Sequence, residues 1–139
     1  MEDSIKCFLI DDDADDQEIF CQALETIDKS INCSFANDGV EALEKLKADE
    51  TFIPHVIFID MNMPRMNGRQ CLAEIKKIDR LKDVSLYMYS TAADPKTIAE
   101  TTEMGAKEFI VKPSNFNDLT KKLSQIFNFS EGDNMHGRS

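Results

Sequence analysis

Short apolar runs alternate with stretches of helical period along the chain from Lys6 to about Asn128. Strand-length runs fall at 7–10, 32–35, 56–59, 86–89 and 108–111. The third (Val56-Ile57-Phe58-Ile59) and the fifth read as nearly continuous apolar stretches, the mark of strands covered on both faces. Between them, Ile19, Ala23 and Ile27 share one helix face, as do Val40, Leu43 and Leu46. Cys71, Leu72 and Ile75 mark a third helix, Ile98 and Thr102 a weak fourth, and Phe116, Leu119, Leu123 and Ile126 a fifth. Asn37-Asp38, Asn67-Gly68, Asp94-Pro95 and Asn115 stand where helix caps and first turns are needed. Strand and helix in strict alternation predict an α/β domain, a parallel sheet with helices on both faces, because βαβ crossovers are right-handed. No internal repeat and no second domain are expected. Residues 5–128 carry the pattern, and 129–139 read as a polar, disordered tail.

Composition narrows the function. The chain has 139 residues, 42% hydrophobic and 30% charged, which suits one globular domain with its own core. Its net charge of −10 argues against binding nucleic acid, which takes clustered Lys and Arg. No apolar run is long enough to span a membrane, and the acidic Met1-Glu2-Asp3-Ser4 start does not look like a secretory leader, so a cytoplasmic location is expected. Cys7, Cys21, Cys33 and Cys71 show no CxxC spacing and read as reduced, mostly apolar positions. His55 and His136 are too few and too far apart for zinc.

In an open α/β sheet, ligands bind beyond the carboxyl ends of the strands. Asp11 and Asp12 follow the first run, Asp60 the third, Ser90 and Thr91 the fourth, and Lys112 the fifth. Taken singly, each has an ordinary explanation: a cap, a turn residue, a solvated charge. Their joint occurrence at successive strand ends does not. Two carboxylates about 4 Å apart repel by roughly 4 kcal/mol at an effective dielectric near 20. Three stay ionised together only beside a cation, or else one carboxyl pKa rises. Oxygen-only ligands favour Mg²⁺, with Mn²⁺ as the alternative. A divalent ion with one lysine is equipment for phosphoryl transfer, and a carboxylate that attacks phosphorus becomes an aspartyl phosphate.

The strings FLIDDDADD at 8–16, VIFIDMNMPRMNG at 56–68, YMYSTAAD at 87–94 and GAKEFIVKPSNF at 105–116 resemble the receiver domains of two-component response regulators. The resemblance runs from about Ile5 to Phe127 and implies a flavodoxin-like (βα)5 fold with strand order 2-1-3-4-5. It implies that Asp60 accepts the phosphoryl group, that Asp12 binds Mg²⁺ directly, that Asp11 holds it through water, and that Asn62 offers its backbone carbonyl. Asp13 is then a solvent-facing third acid. Ser90 matches the hydroxyl that bonds the phosphoryl group and Lys112 the lysine that pairs with it. Phe109 occupies the aromatic switch position, and Lys112-Pro113 matches a peptide bond commonly cis in the family. Thr91 departs from the usual Ala or Gly and narrows access. Ala92 stands where some fast-hydrolysing receivers carry an acid or amide. The segment DETFIPH at 49–55 resembles stand-alone receivers, including those that partner phytochrome-type kinases. The implied partners are a sensor histidine kinase or histidine phosphotransfer protein, a downstream protein, and a second copy docked on the face of the fourth helix, fifth strand and fifth helix. With no output domain, the signal leaves by protein contacts or onward phosphotransfer.

Other functions fit less well. A phosphatase of the haloacid-dehalogenase type needs a general acid two residues after its nucleophile, where this chain has Asn62. A flavodoxin cradles phosphate in the loop after the first strand, which here is Asp-rich and repels it. A receiver kept only for docking has no use for a complete carboxylate cluster.

Overall fold

The computed structural model describes residues 5–136, with side chains through Phe127. Five strands, β1 (Lys6–Ile10), β2 (Asn32–Ala36), β3 (Val56–Ile59), β4 (Ser85–Ser90) and β5 (Glu108–Val111), form one parallel sheet in the order β2-β1-β3-β4-β5. They alternate with α1 (Ala14–Ile27), α2 (Gly39–Ala48), α3 (Gly68–Lys76), α4 (Pro95–Glu103) and α5 (Phe116–His136). This is the flavodoxin-like arrangement. The period of two along each strand divides the core into two layers. Phe8, Ile10, Ile57, Ile59, Leu86 and Met88 meet Leu43, Leu46, Leu72 and Ile75 of α2 and α3. Leu9, Phe58, Tyr87 and Tyr89 meet Phe20 and Leu24 of α1 and Leu119 and Leu123 of α5. Phe58 is fully buried and packs edge-on to Phe20 and stacked on Tyr87, so its burial contributes roughly 1.5–3 kcal/mol.

The caps lie where side-chain chemistry requires them. Asp13, Asp38, Asn67, Asp94 and Asn115 each accept a first-turn backbone N–H, and Asn67 forms a reciprocal box with Gln70.

Several expectations need correction. The buried face of α1 is Phe20, Ala23 and Leu24, while Ile19 is exposed, because the larger Phe20 takes the inward position one residue later. In α2, Gly39 and Ala42 are buried with Leu43 and Leu46, and Val40 only half so. In α4 only Thr101 is buried; Ile98 and Thr102 are exposed. Thr101 can enter the core because its hydroxyl donates to Thr97 O at 2.9 Å. Phe116 is exposed and the α5 core face adds Phe127. A 3₁₀ turn at Asp79–Leu81 precedes β4. No cis peptide bond occurs among the described residues, so Lys112-Pro113 is trans, the isomer ordinarily favoured. The α5 backbone continues to His136, through part of the stretch expected as tail. Helical hydrogen bonds are local, so a helix can outrun its amphipathic pattern where no proline stops it. The acidic start at Met1–Ser4 and the last tail positions, 137–139, lie outside the described residues.

Candidate functional site

The sheet's ladder runs one residue past three of its strands, and that fixes the site. Asp11 N–H donates to Ala36 O (3.0 Å), Asp60 N–H to Ile10 O (2.9 Å) and Lys112 N–H to Ser90 O (2.7 Å). Asp11, Asp60 and Lys112 are thus held by their backbones at the carboxyl edge, around the β1/β3 point where strand order reverses. Beyond Asp60 the chain turns tightly into α3, with Gly68 N–H donating to Met61 O at 2.9 Å. Arg65 sits in this loop at φ 66 and is clamped by Asp38, its guanidinium donating to both carboxylate oxygens at 2.8–3.0 Å. A left-handed arginine is costly, and the bidentate pair across from the start of α2 offsets the strain.

Carboxylate oxygens of Asp11, Asp12 and Asp60 all lie within 4.8 Å of one another. Asp11 is fully buried and Asp60 nearly so; Asp12 is exposed. Asp11 Oδ1 accepts the Asp13 N–H at 2.9 Å, and Asp60 Oδ1 accepts the Asn62 N–H at 3.2 Å. Burial pushes the Asp11 carboxyl up from 3.8 to about 6, against the opposing pull of Lys112 and of the Asp13 N–H. Burial likewise raises Asp60, opposed by Lys112 and reinforced by the charge of Asp12. These are carboxylates short of positive charge, as the sequence argument anticipated.

Lys112 Nζ lies 2.9 Å from Asp11 Oδ2, 2.7 Å from Asp16 Oδ2 and 3.5 Å from Asp60 Oδ2. Burial alone would lower its pKa, but the carboxylates of Asp16 and Asp11 raise it, so the ammonium is charged throughout the physiological range. The Asp11 contact is an ion pair without hydrogen-bond alignment, which leaves Oδ2 with no directed donor. Nζ also stands 5.3 Å from the centre of the Tyr89 ring, a cation–π distance.

Ser90 is fully buried at the end of β4, and its Oγ has no hydrogen-bond partner among the described residues. A stranded hydroxyl costs about 1–3 kcal/mol, so its position calls for an acceptor that arrives from outside. Thr91, next to it, is exposed, and Phe109 is half-buried against the α2/α3 layer of the core. A cleft of about 290 Å³ between Asn62 on the loop after β3 and Ala92, Ala93 and the α4 residue Thr97 opens at this edge.

The structure therefore brings together Asp11, Asp12, Asp60 and Lys112, and puts Ser90 at the same edge. Asp13 is exposed as expected and is also the α1 cap. Asp16, Tyr89 and the Asp38–Arg65 pair were not singled out by sequence. Asp16 had a readable signal: four residues after Asp12, in the first turn of the next helix, it faces back over the strand end. Nothing in the sequence pairs Asp38 with Arg65, 27 residues apart.

An oxygen-only donor set, one cation and an orphaned hydroxyl at the switch point of a flavodoxin-like sheet define a phosphoryl-accepting regulatory domain. The sequence matches the response regulator receiver domain over residues 7–124, and the chain belongs to that family. It is 22% identical over 128 residues to the probable methanogenesis regulatory protein FilR2 of Methanothrix harundinacea, covering 90% of this chain and 83% of that one. The phosphorylated cyanobacterial phytochrome response regulator RcpA superposes with a TM-score of 0.83 at 27% identity, over 91% of this chain and 94% of that one. The Mn²⁺-bound form of response regulator Rcp1, a Synechocystis protein, gives 0.77 at 27%, over 90% and 93%. Other curated relatives are longer, and the chain spans 54% and 49% of two of them. Receiver domains are the phosphorylated switches of two-component systems, and this chain is one of them.

Proposed function

We propose that Asp60 takes a phosphoryl group from the phosphohistidine of a sensor histidine kinase or a histidine phosphotransfer protein. A carboxylate oxygen of Asp60 bonds to phosphorus, the P–N bond breaks, and the imidazole leaves. The observation that carries this reading is the fully buried Ser90 hydroxyl, partnerless beside a lysine and three clustered carboxylates. A phosphoryl group on Asp60 offers Ser90 its missing acceptor and gives Lys112 a stronger anion than the carboxylate 3.5 Å away.

The donor set fits Mg²⁺, with Mn²⁺ as the alternative: hard oxygens, few of them, and a net negative charge that lysine alone does not cancel. Asp12, Asp60 and the Asn62 backbone carbonyl would hold the ion, with Asp11 behind them. When bound, the ion would offset the negative charge of the Asp60 carboxylate and of the incoming phosphoryl oxygens. The chain's own residues do the rest. Asp11 holds Lys112, the ladder bonds hold Asp11 and Asp60 in register, and Ser90 and Lys112 orient the incoming group.

For the readout, Ser90 draws toward the phosphoryl group, the Thr91 loop follows, and Phe109 turns from half-buried to buried. A ring without a hydroxyl strands no donor when it turns in. The face of α4, β5 and α5 then changes and receives a downstream protein or a second copy. Residues 5–128 are the unit that does this. No helix of the structure is long and apolar enough to cross a membrane, which is compatible with work in the cytoplasm. Ala92 stands beside the site where some fast-hydrolysing receivers carry an acid or amide, a departure that bears on turnover and not on phosphorylation. Incubation with a labelled histidine phosphotransfer protein and Mg²⁺ tests the reading: label passes to the wild-type chain and not to Asp60→Ala. Transfer to the variant would overturn it.

A further inference from the structure

We propose that Asp16 is a latch that holds Lys112 in its resting place and competes with the occupied site for the ammonium. This rests on the reading of Asp60 as phosphoacceptor. The resting ammonium does not sit midway between its carboxylates. It is 2.7 Å from Asp16 and in hydrogen-bond alignment with it, against 3.5 Å from Asp60. Asp11 at 2.9 Å and the Tyr89 ring at 5.3 Å also face the ammonium, so Lys112 rests in closer contact with the acid on α1 than with the acceptor.

Asp16 differs from the other two acids in what happens if it loses the lysine. Asp11 is fully buried, whereas the Asp16 side chain is 31% exposed. It also borders a groove of about 510 Å³ lined by Gln22, Tyr89, Lys112, Asn115 and Phe116. Losing Lys112 would leave Asp11 buried and unpaired, but would leave Asp16 in water. The Asp16 bond is therefore the one that can be exchanged at low cost when Asp60 gains phosphoryl oxygens. Asp16 belongs to α1, and its grip on Lys112, just past β5, ties the helix to the site only while the site is empty. Asp16 touches neither phosphoryl group nor metal in this scheme; it is a positioning residue acting through Lys112.

Beryllofluoride, a mimic of the acyl phosphate, is titrated with saturating Mg²⁺ into wild type, Asp16→Asn, Asp16→Glu and Asp15→Asn. Asp15 is the adjacent exposed acid of the same helix turn, so its variant controls for the change in net charge. A partly exposed pair of this kind shifts binding by about fivefold. Asp16→Asn should bind about fivefold more tightly than Asp15→Asn, and Asp16→Glu, which keeps a carboxylate within reach, should return toward wild type. The Lys112 Nζ and Cε resonances should differ from wild type in unliganded Asp16→Asn and converge with it once beryllofluoride is bound. Equal affinities for Asp16→Asn and Asp15→Asn, or weaker binding by Asp16→Asn, would refute the latch. Failure of wild type itself to bind beryllofluoride would refute the reading of Asp60 instead.

Discussion

Gly68→Ala tests whether the phosphoacceptor loop is set by a close backbone approach. An ideal Cβ at Gly68 would lie 2.4 Å from Asp60 O and 2.7 Å from Met61 Cα. Both are main-chain atoms, one of them in the peptide of the proposed acceptor, so no side-chain tip can swing aside. Ordinary contact needs about 1 Å more, and overpacking of this order costs about 1–3 kcal/mol. Alanine in a helix recovers at most about 1 kcal/mol relative to glycine. The clash is the larger effect, so the variant should be less stable by roughly 1–2 kcal/mol. For a domain of this size that lowers Tm by about 3–8 °C. Urea unfolding followed by circular dichroism measures the difference, and beryllofluoride binding should weaken in parallel as the Asp60 carbonyl shifts. A variant as stable as wild type would show that the loop has slack, and the argument for a rigidly placed acceptor would fail.

Three further outcomes follow from the same geometry. Ser90→Ala removes a hydroxyl with no partner, so by thermal melting the unphosphorylated protein should gain about 1 kcal/mol while beryllofluoride affinity falls; a loss of stability would mean that Ser90 is already satisfied. Saturating Mg²⁺ should raise Tm by neutralising the acid cluster, and Asp12→Asn should abolish the rise; an unchanged Tm in wild type counts against the metal site. The Asp11 carboxyl is raised from 3.8 to about 6, so its contribution to stability is full below about pH 3.8 and is lost as pH climbs through about 6. In EDTA, Asp11→Asn should therefore gain on wild type across that window, by up to roughly 3 kcal/mol, and a gap that narrows with rising pH would contradict the buried charge.

The apolar rhythm was enough to read a parallel α/β sheet, because a sheet covered on both faces leaves little freedom in how Val56–Ile59 is placed; the strand order came from the resemblance to receiver domains. The site was legible for a related reason: a ligand at a switch point draws on residues that directly follow strands, and Asp11, Asp60 and Lys112 do so in sequence as well as in space. Helix faces were less legible. In α1 the choice between Ile19 and Phe20 turned on which side chain filled the space over Phe58 and Tyr89, a packing decision no local pattern encodes. Thr101 was missed because a hydroxyl satisfied within its own helix behaves as an apolar group. The partners Asp38–Arg65 and Asp16–Lys112 are 27 and 96 residues apart, and each reads alone as an ordinary surface charge.

The central claim is that one of three clustered carboxylates accepts the phosphoryl group. The direct measurement is to phosphorylate the protein with acetyl phosphate and Mg²⁺, reduce the acyl phosphate with borohydride, and locate the resulting homoserine by peptide mass spectrometry. Homoserine at position 60, and at neither 11 nor 12, is the expected result. Homoserine at 11 or 12, or a labile phosphoryl group persisting in Asp60→Ala, would contradict the account.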